Sequence, residues 1–320
     1  MGRYIAKRLG QALIVLLLAY TLAFFLLSAL PSDGVAARYA DPALGLSNAE
    51  IAEIREQMGV DKPLLEQYFA TLGGLFTGNL GYSVATGTPV SSLIATATPH
   101  TFVLAVSSVG LAIVVALAVA WVATLPGGGV IRRGFRALPS LMVSLPGFFI
   151  AIVLLQVFSF QLGWVNVVNP TAFEGLILPT LTLVVPMAAP LIQVLIRSID
   201  EVQAKPFVQV LRARGASESR IFWRDVLRNA LLPAITMAGL LFGELVGGAV
   251  VTETVFGRAG LGQLTVNAVS SRDMPVLLGV VLIAAAAYVI INLVVDLLYP
   301  VLDVRLRDTT SKAPTKEGAK

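Results

Sequence analysis

Six runs of about 20 predominantly apolar residues govern what this chain can fold into. They extend from about Leu9 to Leu30, Thr101 to Leu125, Leu138 to Phe160, Leu176 to Arg197, Leu231 to Val251 and Pro275 to Tyr299. A hydrocarbon core about 30 Å thick is crossed by ~20 residues of helix at 1.5 Å each. In that medium every backbone N–H and C=O needs a partner within its own segment, so each run is predicted to be a transmembrane helix. Composition agrees. Of the 320 residues, 56% are hydrophobic and 13% charged, against about 45–50% and about 25% in soluble domains. The expected fold is an all-α integral membrane protein with six spans. The first run follows Arg3, Lys7 and Arg8, as a signal peptide would. It is long for one, and no small-x-small cleavage site precedes Pro31, so it is read as a retained span.

Basic residues orient the bundle. With the N-terminus inside, 18 of the 23 Lys and Arg fall on inner segments. These are the head, Arg132, Arg133 and Arg136, the region from Arg197 to Arg228, and the tail from Arg305 to Lys320. The outer segments hold Arg38, Arg55, Lys62, Arg258 and Arg272. Cytoplasmic loops carry the Lys/Arg excess, so both termini are expected in the cytoplasm, as an even number of spans requires.

The outer segment after the first span is long. Ser47 and Glu50 have capping-box spacing, with Ile51, Ile54 and Met58 following on one helical face. A second short helix is expected in "DKPLLEQYFATL", with Asp61 as its N-cap. The segment is either a small cap packed on the bundle or a docking surface for an external partner.

Several chemistries lack their residues. There is no GxxxxGK(S/T) loop to cradle phosphates, no HExxH and no GxSxG. There are no cysteines, so disulfides and thiolate sites do not arise. His100 is the one histidine and is read as a packed or interfacial residue. "GRAGLG" at Gly257–Gly262 follows a span rather than a strand, so it reads as a tight outer turn. No enzymatic activity, cofactor, metal or nucleic-acid partner is expected.

The stretch "QVLRARGASESRIFWRDVLRNALLP", Gln209 to Pro233, is the most polar part of the inner surface. Phe207, Val210 and Leu211 have helical spacing, and Arg212 and Arg214 fall in the last turn, where cations complement the helix dipole. Gly215 suits the left-handed position that ends a helix. Ser217 can cap the next helix, with Glu218 in its first turn and Ile221, Phe222, Val226 and Leu227 on its apolar side. Topology and attraction to anionic lipid both explain inner arginines. A groove on a cytoplasmic partner would explain the helix–Gly–helix pattern as well.

The stretch resembles the cytoplasmic EAA loop of ABC-importer permeases, in the form found in peptide importers. The similarity continues through "LRNALLPAIT", "GGAVVTETVFGRAGLGQL", "RDMPVLLG" and "NLVVDLLYPVLDVRLR", and through the outer segment from Leu46 to Val90. The chain is similar to the B-type permease of dipeptide and oligopeptide importers. It departs from the pattern at Gln209–Leu211, where Glu-Ala-Ala would stand, and at Asp225–Arg228. It departs again at Ala259, where Pro is usual, and at Val304 within Asp303–Arg305. These departures bear on subfamily and substrate, not on the transporter class.

The resemblance implies a type I importer fold divided into four segments. These are 1–30, head and first span; 31–99, an extracytoplasmic helical segment; 100–303, a five-span core with a cytoplasmic coupling loop at 198–230; and 304–320, a disordered cytoplasmic tail. It implies a second homologous permease, two cytoplasmic ABC ATPases that hydrolyse the ATP, an extracytoplasmic solute-binding protein and a peptide substrate. It places ATPase coupling on Phe207, Leu211, Arg212, Arg214, Gly215, Ala216, Ser217, Glu218, Arg220 and Phe222. Permeases of related importers carry nickel chelates or glutathione. A secondary transporter or channel is the competing class, and it would need no ATPase-docking element.

Charges within spans are costly and mark candidate functional sites. Glu253, Glu244 and Asp296 are therefore candidate gate or pathway residues, Glu253 first. The alternative for each is hydrogen bonding inside the bundle. Gln156, Gln193 and Asn292 are read as packing residues, and "GELVGGA" as a close helix contact.

Overall fold

The computed structural model describes residues 2–29, 34–39, 45, 47–57, 59, 61–125, 127 and 129–302. Met58 and the tail from Asp303 lie outside them, as do the side chains of Glu244 and Asp296. Among the described residues every regular element is a helix, beside one isolated antiparallel bridge, Tyr82 to Pro89. In chain order the helices are α1 (Gly2–Ser28), α2 (Gly34–Tyr39), α3 (Asn48–Gln57), α4 (Leu64–Phe76), α5 (Val90–Thr124), α6 (Gly129–Val143) and α7 (Gly147–Leu154). They continue as α8 (Glu174–Gln203), α9 (Pro206–Ala213), α10 (Glu218–Arg220), α11 (Leu227–Val255), α12 (Leu261–Ser270) and α13 (Met274–Leu302). A π-helical stretch, Leu155–Gln161, extends α7, and another, Ile221–Val226, joins α10 to α11.

Among the described residues five helical stretches are long and apolar enough to cross a membrane, and six if α6 and α7 form one broken span. The third predicted run is thus not one straight helix. It breaks at Ser144–Pro146, because Pro146 supplies no N–H and disfavours helical backbone in the residue before it. The second span begins at Val90, well before Thr101, and carries Pro99 inside the helix. Pro233 likewise lies within α11 rather than at a boundary. Helical hydrogen bonding in the preceding and following turns holds both, as membrane helices tolerate.

The chain divides into two compact units. One comprises 1–108, 147–183 and 245–289; the other comprises 109–146, 184–244 and 290–320. In the first, Val90 and Ile94 of α5 pack with Ala268, Val276, Leu277 and Val280. A Cβ at Gly279 would fall 2.8 Å from Ile94 and 2.9 Å from Val90, so glycine lets α13 approach α5 there. The capping box forms as expected: the Ser47 N–H and hydroxyl donate to Glu50 Oε2 at 2.7 Å. These bonds, the backbone one foremost, hold the Glu50 carboxyl below its usual range. Asp61 does not cap α4. Pro63 takes that position, and Asp61 accepts from Arg55 at 2.6 Å.

In the second unit, Ala112, Ala116, Ala120 and Ala123 form a fully buried stripe on α5, which permits close helix packing. A Cβ at Gly239 of α11 would meet Val295 of α13 at 2.9 Å. Arg136 on α6 reaches Asp200 on α8 through a two-pronged ion pair, 2.9 and 2.7 Å, while its Nε donates to the Ala123 carbonyl at 3.0 Å. One guanidinium therefore ties α5, α6 and α8 together. Gln156 and Gln193 are exposed rather than packed inside.

Candidate functional site

The inner stretch folds as a helix, a glycine turn and a second helix. Pro206 opens α9 at its first helical position, where its missing N–H costs nothing. Arg214 closes it, and Gly215 adopts φ +80°. The Gly215 N–H donates to Arg212 O at 2.9 Å and the Ala216 N–H to Leu211 O at 3.1 Å. Together these bonds make a Schellman stop that satisfies the last carbonyls. Nothing lies within 4 Å of a Cβ built on Gly215, so glycine is required by backbone conformation and not by space. Ser217 then accepts from the Arg220 N–H at 3.4 Å and caps α10.

From Glu218 to Gly243 the helical path is continuous. The second helix of the loop is thus continuous with the fifth span, whereas the sequence suggested a separate short helix followed by a span at Leu231. At the other end α8 runs to Gln203, so helix extends into the 198–230 segment from both sides.

The faces differ in detail from the sequence expectation. Val208 is the buried anchor of α9, Leu211 is half-buried, and Phe207 and Val210 face outward at 39% and 49% exposure. Phe222, expected on the docking face, is buried with Ile221 and Val226, while Trp223 is exposed. Trp223 packs on Trp121 of α5 at 6.0 Å and edge-on to Phe222 at 5.1 Å, which fixes the loop to the body of its unit. Ala216 is half-buried in the turn.

The arginines divide into two kinds. Arg212 forks to Glu218 across the turn, at 2.7 and 3.1 Å, and that hydrogen bonding raises its already high pKa. It braces α9 against α10 from within. Arg214 and Arg220 are exposed, and neither forms an ion pair among the described residues. They project beside Phe207 and Val210 as a basic and apolar surface.

Glu253, the first pathway candidate, is fully buried. Its carboxylate accepts from Thr101 Oγ1 at 2.6 Å and from the Gly262 N–H at 2.7 Å, while Thr101 Oγ1 accepts from the Leu261 N–H at 2.8 Å. One acid thereby joins α11 and α5 to the N-terminus of α12, where orphan N–H groups and the helix dipole favour an anion. The "GRAGLG" turn wraps this carboxylate. A Cβ at Gly260 would lie 2.2–2.4 Å from it, and one at Gly262 would lie 2.5 Å from Val250 Cα.

Arg258 sits above the clamp. It donates to the carbonyls of Gly175 and His100, and burial lowers its pKa against the opposing pull of Glu253. With His100, Val103 and Phe256 it lines an open cavity of about 460 Å³. His100 is exposed there, not packed away.

Thr101, Asp273 and the bridging role of Arg136 escaped the sequence reading. Asp273 is buried, accepts from Ser83 Oγ and from the Ala85 N–H at 3.2 Å, and caps α13. The one available signal was an acid directly before an apolar run.

Comparison with known proteins follows the same lines. Residues 108–308 match the family model "Binding-protein-dependent transport system inner membrane component", and residues 1–105 match its N-terminal counterpart. The chain is 36% identical over 310 residues to the glutathione transport system permease protein GsiC of Pectobacterium atrosepticum, covering 96% of this chain and 99% of that one. It is 34% identical over 315 residues to a probable peptide ABC transporter permease protein of Sinorhizobium fredii, covering 96% and 100%. Among solved structures, the inward-facing MetNI methionine ABC transporter aligns with TM-score 0.56 at 19% identity, over 66% of this chain and 96% of that chain, a likeness of fold. Family models that together span nearly the whole chain, and relatives matched end to end, give one conclusion: the chain belongs to the family of binding-protein-dependent transport system inner membrane components, the permeases of ABC importers.

Proposed function

We propose that this chain forms half of the translocation path of an ATP-driven importer of di- and oligopeptides. A second homologous permease forms the other half, and an extracytoplasmic solute-binding protein delivers the substrate. Both termini lie in the cytoplasm, as the Lys/Arg asymmetry favours. ATP hydrolysis belongs to two separate ATPase subunits, since this sequence has no phosphate-cradling loop.

The observation that carries the reading is the inner helix–Gly215–helix element. Phe207, Val210, Arg214 and Arg220 form its exposed surface, and the element continues without interruption into the fifth span. Such a surface suits a groove with apolar walls and acidic rims. Buried Val208, Ile221, Phe222 and Val226 make the element rigid, so a push on it moves the span as a body. Leu211, Ala216 and Ser217 shape the turn, and the Arg212–Glu218 fork braces it.

Glu253 serves in this reading as a clamp near the outer mouth rather than as a moving gate. Glu244 and Asp296 remain candidates for the path itself. Glutathione is the second substrate reading, favoured by the name of the relative at 36% identity; nickel chelates are a third.

Purification of the tagged chain from its native membrane tests the assembly, and uptake of labelled dipeptide and of labelled glutathione tests the substrate. Co-purification of ATPases and a second permease, with ATP-dependent dipeptide uptake, is the expected result. Transport by the chain alone in liposomes would overturn it in favour of a secondary transporter.

A further inference from the structure

Helix α4, Leu64–Phe76, follows a charged stretch. Arg55 pairs with Asp61, and Lys62 with Glu66 at 3.2 Å. After Glu66 the helix bears no charge. One side packs on the bundle: Tyr68, Leu72 and Leu75 join the cluster of Tyr20, Phe24 and Leu278, which also takes in Leu282. The adjoining stripe is apolar too. Leu65 is 62% exposed, Phe69 64% and Phe76 87%, and the spacing of i, i+4 and i+11 sets them on one stripe. Exposed apolar side chains gathered on one stripe mark a membrane or protein contact rather than a face turned to water.

The depth of this helix is fixed by its contacts. Tyr20 donates to the Tyr68 carbonyl at 2.7 Å, and the Thr21 and Tyr68 hydroxyls lie 2.9 Å apart. Phe24 and Phe25 contact the Tyr68 ring at 5.4 and 5.6 Å. The first span ends at Ser28, so Tyr20 and Thr21 lie about 10–12 Å inside its end at 1.5 Å per residue. The last span begins at Met274, so Leu278 and Leu282 lie about 6 and 12 Å inside its start by the same rise. With the rim of the hydrocarbon core taken at these two helix ends, both spans set the middle of α4 below it.

The backbone is prepared for that setting. At the C-terminal end Gly74 O accepts from the Thr77 and Asn79 N–H groups and from Thr77 Oγ1, and Leu75 O accepts from the Gly78 N–H. Carbonyls that would otherwise need water are satisfied within the chain.

We infer that α4 is immersed in the outer leaflet beside α1, with lipid acyl chains covering Leu65, Phe69 and Phe76. The occupant follows from continuity. The exposed stripe of α4 adjoins a span whose own outward residues, Leu18, Leu22 and Leu26, are 55–69% exposed and must meet hydrocarbon at the same depth. The charged pairs before α4 then mark the headgroup level, and the segment enters and leaves the membrane from one side. This inference rests on α1 and α13 being spans, and not on substrate or partner.

The chain lacks cysteine, so single nitroxide labels report cleanly. Labels at Leu65→Cys, Phe69→Cys and Phe76→Cys, in the assembled transporter reconstituted in phosphatidylethanolamine and phosphatidylglycerol vesicles, are compared for collision with oxygen and with a water-soluble nickel chelate. Leu22→Cys is the acyl-chain control and Glu56→Cys the aqueous control. Immersion predicts an oxygen-to-chelate ratio shifted from the Glu56 value to that of Leu22. A ratio at the Glu56 value would overturn it by placing the helix in water. Low collision with both reagents would overturn it equally, by assigning the stripe to a protein partner.

Discussion

Replacement of Glu253 tests whether a buried acid near the C-terminal end of α11 is a clamp or a gate. Its two oxygens each accept one hydrogen bond, from Thr101 at 2.6 Å and Gly262 at 2.7 Å, with no solvent contact. A hydrogen bond to a charged group contributes about 1.5–3 kcal/mol. Loss of both in Glu253→Ala is therefore expected to cost roughly 3–6 kcal/mol. Glu253→Gln keeps one acceptor and can turn the Thr101 hydroxyl around, so its cost is roughly half of that. At about 2 °C per kcal/mol for a large chain, the alanine variant melts roughly 6–12 °C lower in detergent. Gly260 sharpens the test. A methyl group at this position would occupy the site of the carboxylate, so Gly260→Ala destabilises the chain severely while Glu253 is present. In the Glu253→Ala background the obstacle is gone, and the two effects are strongly non-additive. Thermal unfolding of the four proteins, followed by intrinsic tryptophan fluorescence, closes the cycle. Additive effects would refute the clamp, and so would a Glu253→Ala protein that melts like wild type yet fails to transport.

Three further outcomes follow from the site. Gly215→Val forces a β-branched residue to φ +80° at about 1–2 kcal/mol or more, and is expected to lower ATP-coupled uptake several-fold without loss of membrane insertion; Gly215→Asn, which tolerates that backbone, stays near wild type, and equal loss in both variants would show that side-chain space matters instead. Arg214→Glu with Arg220→Glu should weaken ATPase co-purification, whereas Arg212→Glu should impair the turn and be partly restored by Glu218→Arg; unchanged co-purification in the first pair returns those arginines to topology or lipid binding. Hydrogen bonds hold the Glu50 and Asp61 carboxyls below their usual 4.5 and 3.8, so the order they lend α3 is complete above those values and is lost as pH falls through the lowered ones; Glu50→Gln should reduce amide protection over Asn48–Gln57 at pH 6, and the difference from wild type should shrink as pH falls below 4.5, whereas a difference that does not change with pH would refute the carboxylate's role.

The sequence by itself determined features that depend on neighbours along the chain. A run of ~20 apolar residues, a basic bias at its inner end, a capping box and a glycine at a helix stop each act over a few residues. They made the spans, the Ser47–Glu50 cap and the Gly215 turn legible before any fold was known. Even there, Pro99 and Pro233 read as boundaries, because proline breaks isolated helices and not those held within a bundle. Local spacing also placed Phe222 on the apolar side of its helix, where it is buried, although the resemblance counted it among the coupling residues.

Only the tertiary structure decided which polar groups find each other. Ser83 meets Asp273 across 190 residues, Thr101 meets Glu253 across 152, and Arg136 meets Asp200 across 64. No short pattern encodes such partners, yet a buried charge is tolerable only where they exist. That pairing ties Glu253 to Thr101 and to the N-terminus of α12. Contacts with α1 and α13, rather than composition, set α4 against two spans.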